Sequence, residues 1–135
     1  MLAYIAGPLF NEKERELLED INSICIAIGI NTYLPFLDGG LLENEKANGL
    51  FKKDIEALNN ATIIVASLNG VDVDSGTAFE IGYGFAKGKK IFGLHTDFRV
   101  FTQSSEVNLM VLKSCEICHS LQELKIALGE FGKLR

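Results

Sequence analysis

A three-layer α/β/α sandwich around a five-stranded parallel sheet is the fold that this sequence predicts. Short apolar runs alternate along the chain with longer segments whose apolar residues have helical spacing. This alternation is typical of βαβ units, which join parallel strands by right-handed crossovers. The chain has 135 residues, of which 47% are hydrophobic. We therefore expect a single domain over residues 1–135, because this length supports one core and not two.

The first half of the chain contains three predicted strands and two predicted helices. Leu2–Ala6 is an apolar run followed by a Gly-Pro pair, which predicts a buried strand and a turn. Asn11 and Glu14 have capping-box spacing, and apolar residues then recur at helical spacing as far as Gly29. The other predicted elements of this half are a strand at 31–34, a loop at 35–45, a helix through Leu50, Phe51, Ile55 and Leu58, and a strand at 62–67.

The second half of the chain adds two strands and two helices. A loop is predicted at 69–77, a helix at 78–87, a strand at 90–94, a polar stretch at 96–107, a short strand near 115–118, and a last helix capped by Ser120 with Glu123. The strand at 62–67 is apolar on both alternating faces, as expected of a central strand covered by helices on both sides. Together these elements predict a flavodoxin-like sandwich.

Composition and charge exclude several classes of partner. Thirteen Lys and Arg against 18 Asp and Glu give a net charge of −5, so we expect no general attraction to nucleic acids or anionic membranes. Apolar stretches such as 61–68 are shorter than the ~18–20 residues of a membrane span. Met1 leads directly into the first strand, which predicts a cytoplasmic protein without a signal peptide. A small molecule or a protein is the expected partner.

The cysteines predict neither a disulfide framework nor a metal site. Their number is three, and an odd number does not make such a framework. Cys115, Cys118 and His119 match the C-x-x-C-H pattern of covalent haem attachment, but a chain of this predicted fold is not typical of that class. A tetrahedral zinc site would need a fourth ligand. We interpret the cysteines as ordinary thiols and expect no cofactor.

The predicted topology indicates which loops form a site. In open α/β sheets, ligands bind beyond the carboxyl ends of the strands, where the strand order reverses. The loops at those ends are 7–11, 35–40, 69–77 and 95–108. Near the third loop, Asp72, Asp74 and Glu80 bring carboxylates to one helix start, which suits a nucleophile or a general base. The competing interpretation makes Thr77 the helix cap, with Glu80 as its capping-box partner, and Asp72 a solvated charge.

Two further features have open interpretations. His95 ends the fourth strand, where it could act as an acid or base or simply be a polar residue closing a strand. The glycines after residue 75 do not match known phosphate-binding loops. We instead expect Gly82 and Gly84 to let their helix approach the sheet or a neighbouring subunit closely.

Four segments of the chain, taken together, resemble the nucleoside 2-deoxyribosyltransferase family. In chain order they are Tyr4-Ile-Ala-Gly7-Pro8, Asp54, Asp74-Ser-Gly76-Thr-Ala-Phe-Glu80-Ile-Gly82 and Asn108-Leu-Met110. Their order and spacing agree with the family from residue 3 to about residue 111. The most specific segment is the D-x-G-x-x-x-E-x-G block.

The resemblance implies a flavodoxin-like fold and an exchange of nucleobases through a covalent deoxyribosyl-enzyme intermediate. It makes Glu80 the nucleophile and Tyr4 the residue that positions it. Asp74 and Asp54 match the aspartates that hold and protonate the departing base or orient the sugar, and the residues do not decide which is the acid. The implied substrate-binding positions are Gly7, Pro8, Gly76, Asn108 and Met110, the last two acting from a neighbouring subunit.

The resemblance also implies partners and leaves alternatives. The partners are a deoxynucleoside and a free nucleobase, in a homodimer or a dimer-based hexamer with a shared active site and a role in nucleotide salvage. Related enzymes hydrolyse 2′-deoxynucleoside 5′-monophosphates, and Ser104, Ser105 and Arg99 could read such a phosphate. A third possibility is a non-catalytic nucleotide-sensing domain. The segment Asp38-Gly39-Gly40 stands where we expect a base-reading glutamine, which leaves the base preference open.

Overall fold

The computed structural model describes residues 1–39 and 47–135. Within them, the strands are β1 (Leu2–Ala6), β2 (Asn31–Tyr33), β3 (Ile63–Ser67), β4 (Lys90–Leu94) and β5 (Glu116–Cys118). The helices are α1 (Glu12–Ala27), α2 (Ala47–Asn60), α3 (Ser75–Ala86), α4 (Leu109–Ser114) and α5 (Leu121–Lys133). One π-helical turn, Pro35–Gly39, follows β2.

The strands form one parallel sheet in the order β2-β1-β3-β4-β5. This is the flavodoxin-like order, so the predicted fold is confirmed. The strand order reverses between β1 and β3, and the crevice expected for a ligand lies above that point. Helices α1 and α5 pack on one face of the sheet, while α2, α3 and α4 pack on the other.

The central strand, β3, is covered by helices on both of its faces. Every residue of β3 is buried, with Ile63 and Val65 in one core and Ile64 and Ala66 in the other. Gly84 of α3 allows close packing, because an added Cβ would lie 2.1 Å from Cδ1 of Ile64. The predicted role is therefore confirmed for Gly84 but not for Gly82, where an added Cβ would have no described neighbour within 4 Å.

The two predicted capping pairs at α1 and α5 are present. Asn11 Oδ1 accepts from the Glu14 backbone N–H at 2.9 Å, and Asn11 Nδ2 donates to Glu14 Oε1 at 2.8 Å. Ser120 Oγ accepts from the Glu123 backbone N–H at 3.0 Å. Both helices begin where the sequence predicts, because these side chains satisfy N–H groups that have no partner within the helix.

The structure differs from the predicted elements in three places. Helix α3 begins at Ser75 instead of 78, because Asp74 caps it and not Thr77. Helix α4 lies between the predicted loop at 95–108 and the predicted strand near 115–118, where no element is predicted, because its six residues are too few to show helical periodicity in the sequence. Residues 35–39 form a π-helical turn where a loop is predicted; the rest of that loop, with Gly40, lies outside the described residues.

The structure also bears on the membrane and cysteine interpretations. Among the described residues, no helix combines the length and apolar composition that a bilayer crossing requires. Cys25, Cys115 and Cys118 are free thiols. Burial raises the pKa of both Cys25 and Cys115 to about 12, which disfavours the reactive thiolate.

Candidate active site

The centre of the site is a hydrogen bond between a buried tyrosine and a glutamate. Tyr4 lies in β1, is fully buried, and points toward the face that α2 and α3 cover. Its hydroxyl donates to Oε2 of Glu80, six residues after the cap of α3. The structure therefore brings together two of the four residues predicted to be catalytic.

The protonation of this pair suits a carboxylate that reacts near neutral pH. Burial raises the pKa of Glu80 to about 7, the bond from Tyr4 opposes that rise, and the charges of Asp54 and Asp74 add to it. Burial and the adjacent Glu80 hold the pKa of Tyr4 far above its usual value. Tyr4 therefore remains a hydrogen-bond donor, and Glu80 is a poorly solvated carboxylate with one oxygen held in place.

Asp54 of α2 is the third member of the cluster. Burial raises the pKa of Asp54, whereas a hydrogen bond from Tyr33 and the charge of Lys53 lower it. The Tyr33 hydroxyl donates to Oδ1 of Asp54 at 2.9 Å. The charge of Asp54 in turn raises the pKa of Tyr4 and Glu80, so the three groups form one electrostatic cluster.

Tyr33 is a residue of this site that sequence reasoning missed. Its ring stacks on that of Tyr4, with centroids 5.5 Å apart and planes at 23°. The two residues are register partners in neighbouring parallel strands, which puts both side chains on one face of the sheet. The signal available in the sequence was an aromatic residue in a short second strand, and it becomes informative only when the register is known.

Asp74 takes the position that the competing interpretation gave to Thr77. Asp74 Oδ2 accepts from the backbone N–H and from the hydroxyl of Thr77, both at 3.0 Å. Glu80 bonds to Tyr4 instead of reaching back to Thr77. The capping-box explanation of Glu80 is therefore wrong. Gly76 lies in the first turn, where an added Cβ would be 3.4 Å from Asp74 Oδ2.

Gly7 and Pro8 follow β1 directly, next to helix α1. A Cβ on Gly7 would lie 2.5 Å from Cδ2 of Leu18 and 3.1 Å from Cβ of Ser67, so this glycine allows α1 to pack closely. Pro8 is buried and lines a cleft of about 400 Å³. The cleft also contains Asn11, Lys13, Ser67, Asn69, Asp97 and Arg99.

Asn108 and Met110 line a different surface from the carboxylate cluster. Asn108 caps α4, since its Oδ1 accepts from the Met110 backbone N–H at 2.9 Å. Both residues border an apolar groove of about 720 Å³ between α4 and α3, together with Ile81 and Phe85. Glu80 is not among the described residues that line this groove. Within one chain, the structure therefore does not bring Asn108 and Met110 to the nucleophile.

The remaining acid–base candidates have local partners. Asp72 is exposed, and its Oδ1 accepts from the Val73 backbone N–H at 2.8 Å, as in a turn. His95 is buried, with Nδ1 3.2 Å from Glu106 Oε2, and the same oxygen is 2.9 Å from Nε2 of His119. His95 thus helps to anchor the segment after β4, which agrees with the interpretation of a polar residue closing a strand.

The candidate phosphate-reading residues are also engaged within their own segment. The guanidinium of Arg99 pairs with Asp97 and holds the pKa of that carboxyl well below its usual range. The Ser105 hydroxyl donates to the backbone carbonyl of Val107, and the Ser104 hydroxyl lies 3.2 Å from that of Thr102. These three residues therefore do not converge on a free cationic site.

The arrangement as a whole suits chemistry at a carbon that develops positive charge. A carboxylate beside such a carbon can stabilise it and form a bond to it, while a second carboxyl protonates the leaving group. Glu80 and Asp54 are two carboxyl groups of one electrostatic cluster, and Tyr4 holds the first of them by a hydrogen bond. In the described part of the chain, no cluster of three or more metal-ligating side chains was found.

Comparison with known proteins agrees with this chemistry. Residues 3–128 match the family model described as nucleoside 2-deoxyribosyltransferase. The uncharacterized protein C191.05c of Schizosaccharomyces pombe is 31% identical over an alignment of 111 residues, and the match covers 74% of this chain and 52% of that protein. The chain therefore spans about half the length of this curated relative.

Solved structures with this fold include enzymes that act on nucleosides and nucleotides. A 2-deoxyribosyltransferase from Bacillus psychrosaccharolyticus has a TM-score of 0.78 at 20% identity, covering 93% of this chain and 90% of its own. The 2-desoxiribosyltransferase of Leishmania mexicana has a TM-score of 0.77 at 22% identity, and the match covers 96% of this chain and 97% of that one. The CMP N-glycosidase BcmB of Clostridium botulinum has a TM-score of 0.60 at 21% identity, and the match covers 95% of this chain and 98% of that one. At these sequence identities, the structural similarity shows the shared fold alone.

Proposed function

This chain belongs to the nucleoside 2-deoxyribosyltransferase family, and on that premise we propose that it moves a 2-deoxyribosyl group from one nucleobase to another. The observation that carries the proposal is the Tyr4–Glu80 pair, a buried carboxylate held by a permanent hydrogen-bond donor and flanked by Asp54. Such an exchange reuses nucleobases, so we also propose a cytoplasmic role in nucleotide salvage.

In the first half of the reaction, Glu80 acts as the nucleophile. One carboxylate oxygen forms a bond to C1′ of the deoxynucleoside while Tyr4 holds the other. The C1′–N bond breaks, its electron pair goes to the base, and the base takes a proton from an aspartic acid. The products are a free nucleobase and a deoxyribosyl ester of Glu80.

In the second half, another nucleobase reverses these steps. Its nitrogen forms a bond to C1′, the ester bond to Glu80 breaks, and the nitrogen returns its proton to the aspartate. Two successive displacements retain the configuration at C1′, as in retaining glycosidases. Deoxyribosides suit this route because, without a 2′-hydroxyl, the carbocation-like transition state forms more easily.

Asp54 is the proton donor in this proposal and Asp74 is the sugar-orienting carboxylate. Burial raises the pKa of Asp54, so more of it is protonated near neutral pH than of an ordinary aspartate. Asp74 instead has one oxygen committed to Thr77 at the start of α3, which fixes its position and leaves the other oxygen for a sugar hydroxyl.

The charge of the site favours a nucleoside over a nucleoside monophosphate. A phosphate would be repelled by the carboxylates of Asp54, Asp74 and Glu80. Arg99, the candidate to neutralise it, is paired with Asp97. The structural similarity to a CMP N-glycosidase keeps hydrolysis of a 5′-monophosphate as the second candidate function.

Product analysis distinguishes these functions. We expect purified protein incubated with deoxyadenosine or deoxyuridine and a second free base to form a new deoxynucleoside, measured by liquid chromatography. Omission of the second base should abolish that product, and deoxyadenosine monophosphate should be a poor substrate. Release of base from the monophosphate alone would establish the hydrolase instead. No turnover of any of these substrates by folded protein would favour the nucleotide-sensing domain.

A second copy of the chain is the proposed partner for the groove between α3 and α4. Phe85, Leu109 and Met110 are 60%, 60% and 76% exposed there, which is an unusual concentration of apolar surface for a monomer. Most symmetric assemblies are built on two-fold contacts between identical surfaces. We propose a homodimer, or a hexamer built from dimers, in which Asn108 and Met110 complete the pocket of the neighbouring subunit.

Subunit mixing tests this shared site. Glu80→Ala and Asn108→Ala are each expected to be nearly inactive alone. When they are mixed and allowed to exchange, random pairing should restore about a quarter of the wild-type sites, because half of the dimers then contain one intact pocket. Base-exchange rate and light scattering are the measurements. A monomer at working concentration, or mixing without recovery after demonstrated subunit exchange, would contradict the shared site.

A further inference from the structure

Tyr33 contacts two residues of the proposed site, Asp54 and Tyr4. Its hydroxyl donates to Oδ1 of Asp54 at 2.9 Å, and its ring stacks against Tyr4, whose own hydroxyl donates to Glu80. The chain of contacts therefore runs from Asp54 through Tyr33 and Tyr4 to Glu80. It connects α2 to α3 across the strands β2 and β1.

The geometry indicates why such a link would matter. Asp54 is only partly buried on its helix, so its side chain needs a partner to hold one rotamer. Tyr4 is packed in the core, and Tyr33 is fixed against it by the parallel pairing of Tyr4 with Tyr33. A hydroxyl at the edge of this rigid stack thus sets where the Asp54 carboxylate lies relative to Glu80.

We propose that Tyr33 is a positioning residue of the transferase site, orienting Asp54 toward the departing base and supporting Tyr4 beneath Glu80. This inference rests on the proposed function, because it assigns Tyr33 a role in that reaction. Tyr33 touches the two groups and not the reacting atoms, so its contribution comes through them. Misplacement of a catalytic group by about 1 Å is sufficient to cost as much as about 100-fold in rate.

The same hydrogen bond affects the protonation of Asp54. Groups that act on Asp54 come from several elements: Tyr33 from β2, Tyr4 from β1, Glu80 from α3 and Lys53 from α2 itself. A bond donated to the carboxylate favours its charged form. Burial raises the pKa of Asp54, and the bond from Tyr33 opposes that rise. Without the Tyr33 hydroxyl, the carboxyl should therefore titrate at higher pH.

Tyr33→Phe tests the inference, with Tyr83→Phe as its matched control. Phenylalanine keeps the ring that stacks on Tyr4 and removes only the hydroxyl. Tyr83 also donates a hydrogen bond across α2 and α3, to Asn59 Oδ1 at 2.7 Å, but it lies outside the site. We expect Tyr33→Phe to lower kcat about 10- to 100-fold with little change in KM. Carbon-detected NMR should show Asp54 titrating at higher pH, and neither change should occur in Tyr83→Phe.

The outcomes separate this inference from the function on which it rests. If the wild type exchanges bases and Tyr33→Phe matches it in kcat and in the Asp54 titration, the positioning role is overturned and the function stands. A raised KM with unchanged kcat would also overturn it. If folded wild-type protein exchanges no base, the function itself is overturned, which the wild-type assay reveals before any variant is compared. Circular dichroism and thermal unfolding confirm that each variant is folded.

Discussion

Glu80→Gln is expected to lower the rate of base exchange by at least about three orders of magnitude, as removal of a covalent nucleophile does. Glutamine has nearly the same size, and its carbonyl oxygen can still accept the hydrogen bond from Tyr4. It is a far weaker nucleophile toward C1′, so no deoxyribosyl ester forms. Single-turnover kinetics with a deoxynucleoside and excess free base measure this loss.

The matched control for this substitution is Glu123→Gln. Glu123 occupies the third position of α5, where its Oε2 accepts from the His119 backbone N–H at 2.7 Å. Glutamine serves equally well at such a position, so activity close to wild type is expected. If Glu80→Gln also kept nearly full activity, Glu80 would not be the nucleophile and its role would be structural.

Asp54→Asn is expected to lower exchange from deoxyadenosine by about 100- to 1,000-fold, the usual contribution of a general acid. Adenine is a poor leaving group until it is protonated, and asparagine cannot supply that proton. With 7-methyl-2′-deoxyguanosine the base already carries a positive charge, so its departure needs no acid. The loss with this substrate should therefore be much smaller. Parallel kcat measurements on the two substrates give the comparison.

Asp74→Asn distinguishes the two aspartates. Asparagine is as good a helix cap as aspartate, so α3 should keep its start. If Asp74 orients the sugar, its replacement should slow both substrates to a similar extent. The opposite result would be a much larger loss with deoxyadenosine than with 7-methyl-2′-deoxyguanosine in Asp74→Asn, and equal losses in Asp54→Asn. It would mean that Asp74 is the proton donor and Asp54 the sugar-orienting residue.

The sheet was predictable because its information is local and repeated. Strands β1, β3 and β4 are short, mainly apolar runs, and β3 is apolar on both faces because helices cover both sides of it. The start of α3 was not predictable in this way. Asp74 and Thr77 are both good capping residues, and Glu80 stands at capping-box distance from Thr77. Glu80 is not part of the cap because it accepts a hydrogen bond from the hydroxyl of Tyr4, which is 76 residues away in sequence.

The residues of the site differ in how much sequence could reveal. The motif resemblance singled out Tyr4, Glu80 and Asp54. The topology brings them together, because the side chain of Tyr4 points to the face of the sheet that α2 and α3 cover. Tyr33 could not be found this way, since its position beside Tyr4 depends on the register of a three-residue strand. The resemblance also singled out Met110, but one chain does not bring it to Glu80, so its proposed role requires a second chain.

Intact-protein and peptide mass spectrometry test the central claim most directly. The wild type is incubated with a deoxynucleoside and no second base, quenched in acid and digested. The account predicts a peptide containing Glu80 that has gained one deoxyribosyl group, and loss of that group as new deoxynucleoside when a free base is added before the quench. Turnover at a normal rate with Glu80 unmodified in rapidly quenched samples, or a deoxyribosyl group on another residue, would contradict it.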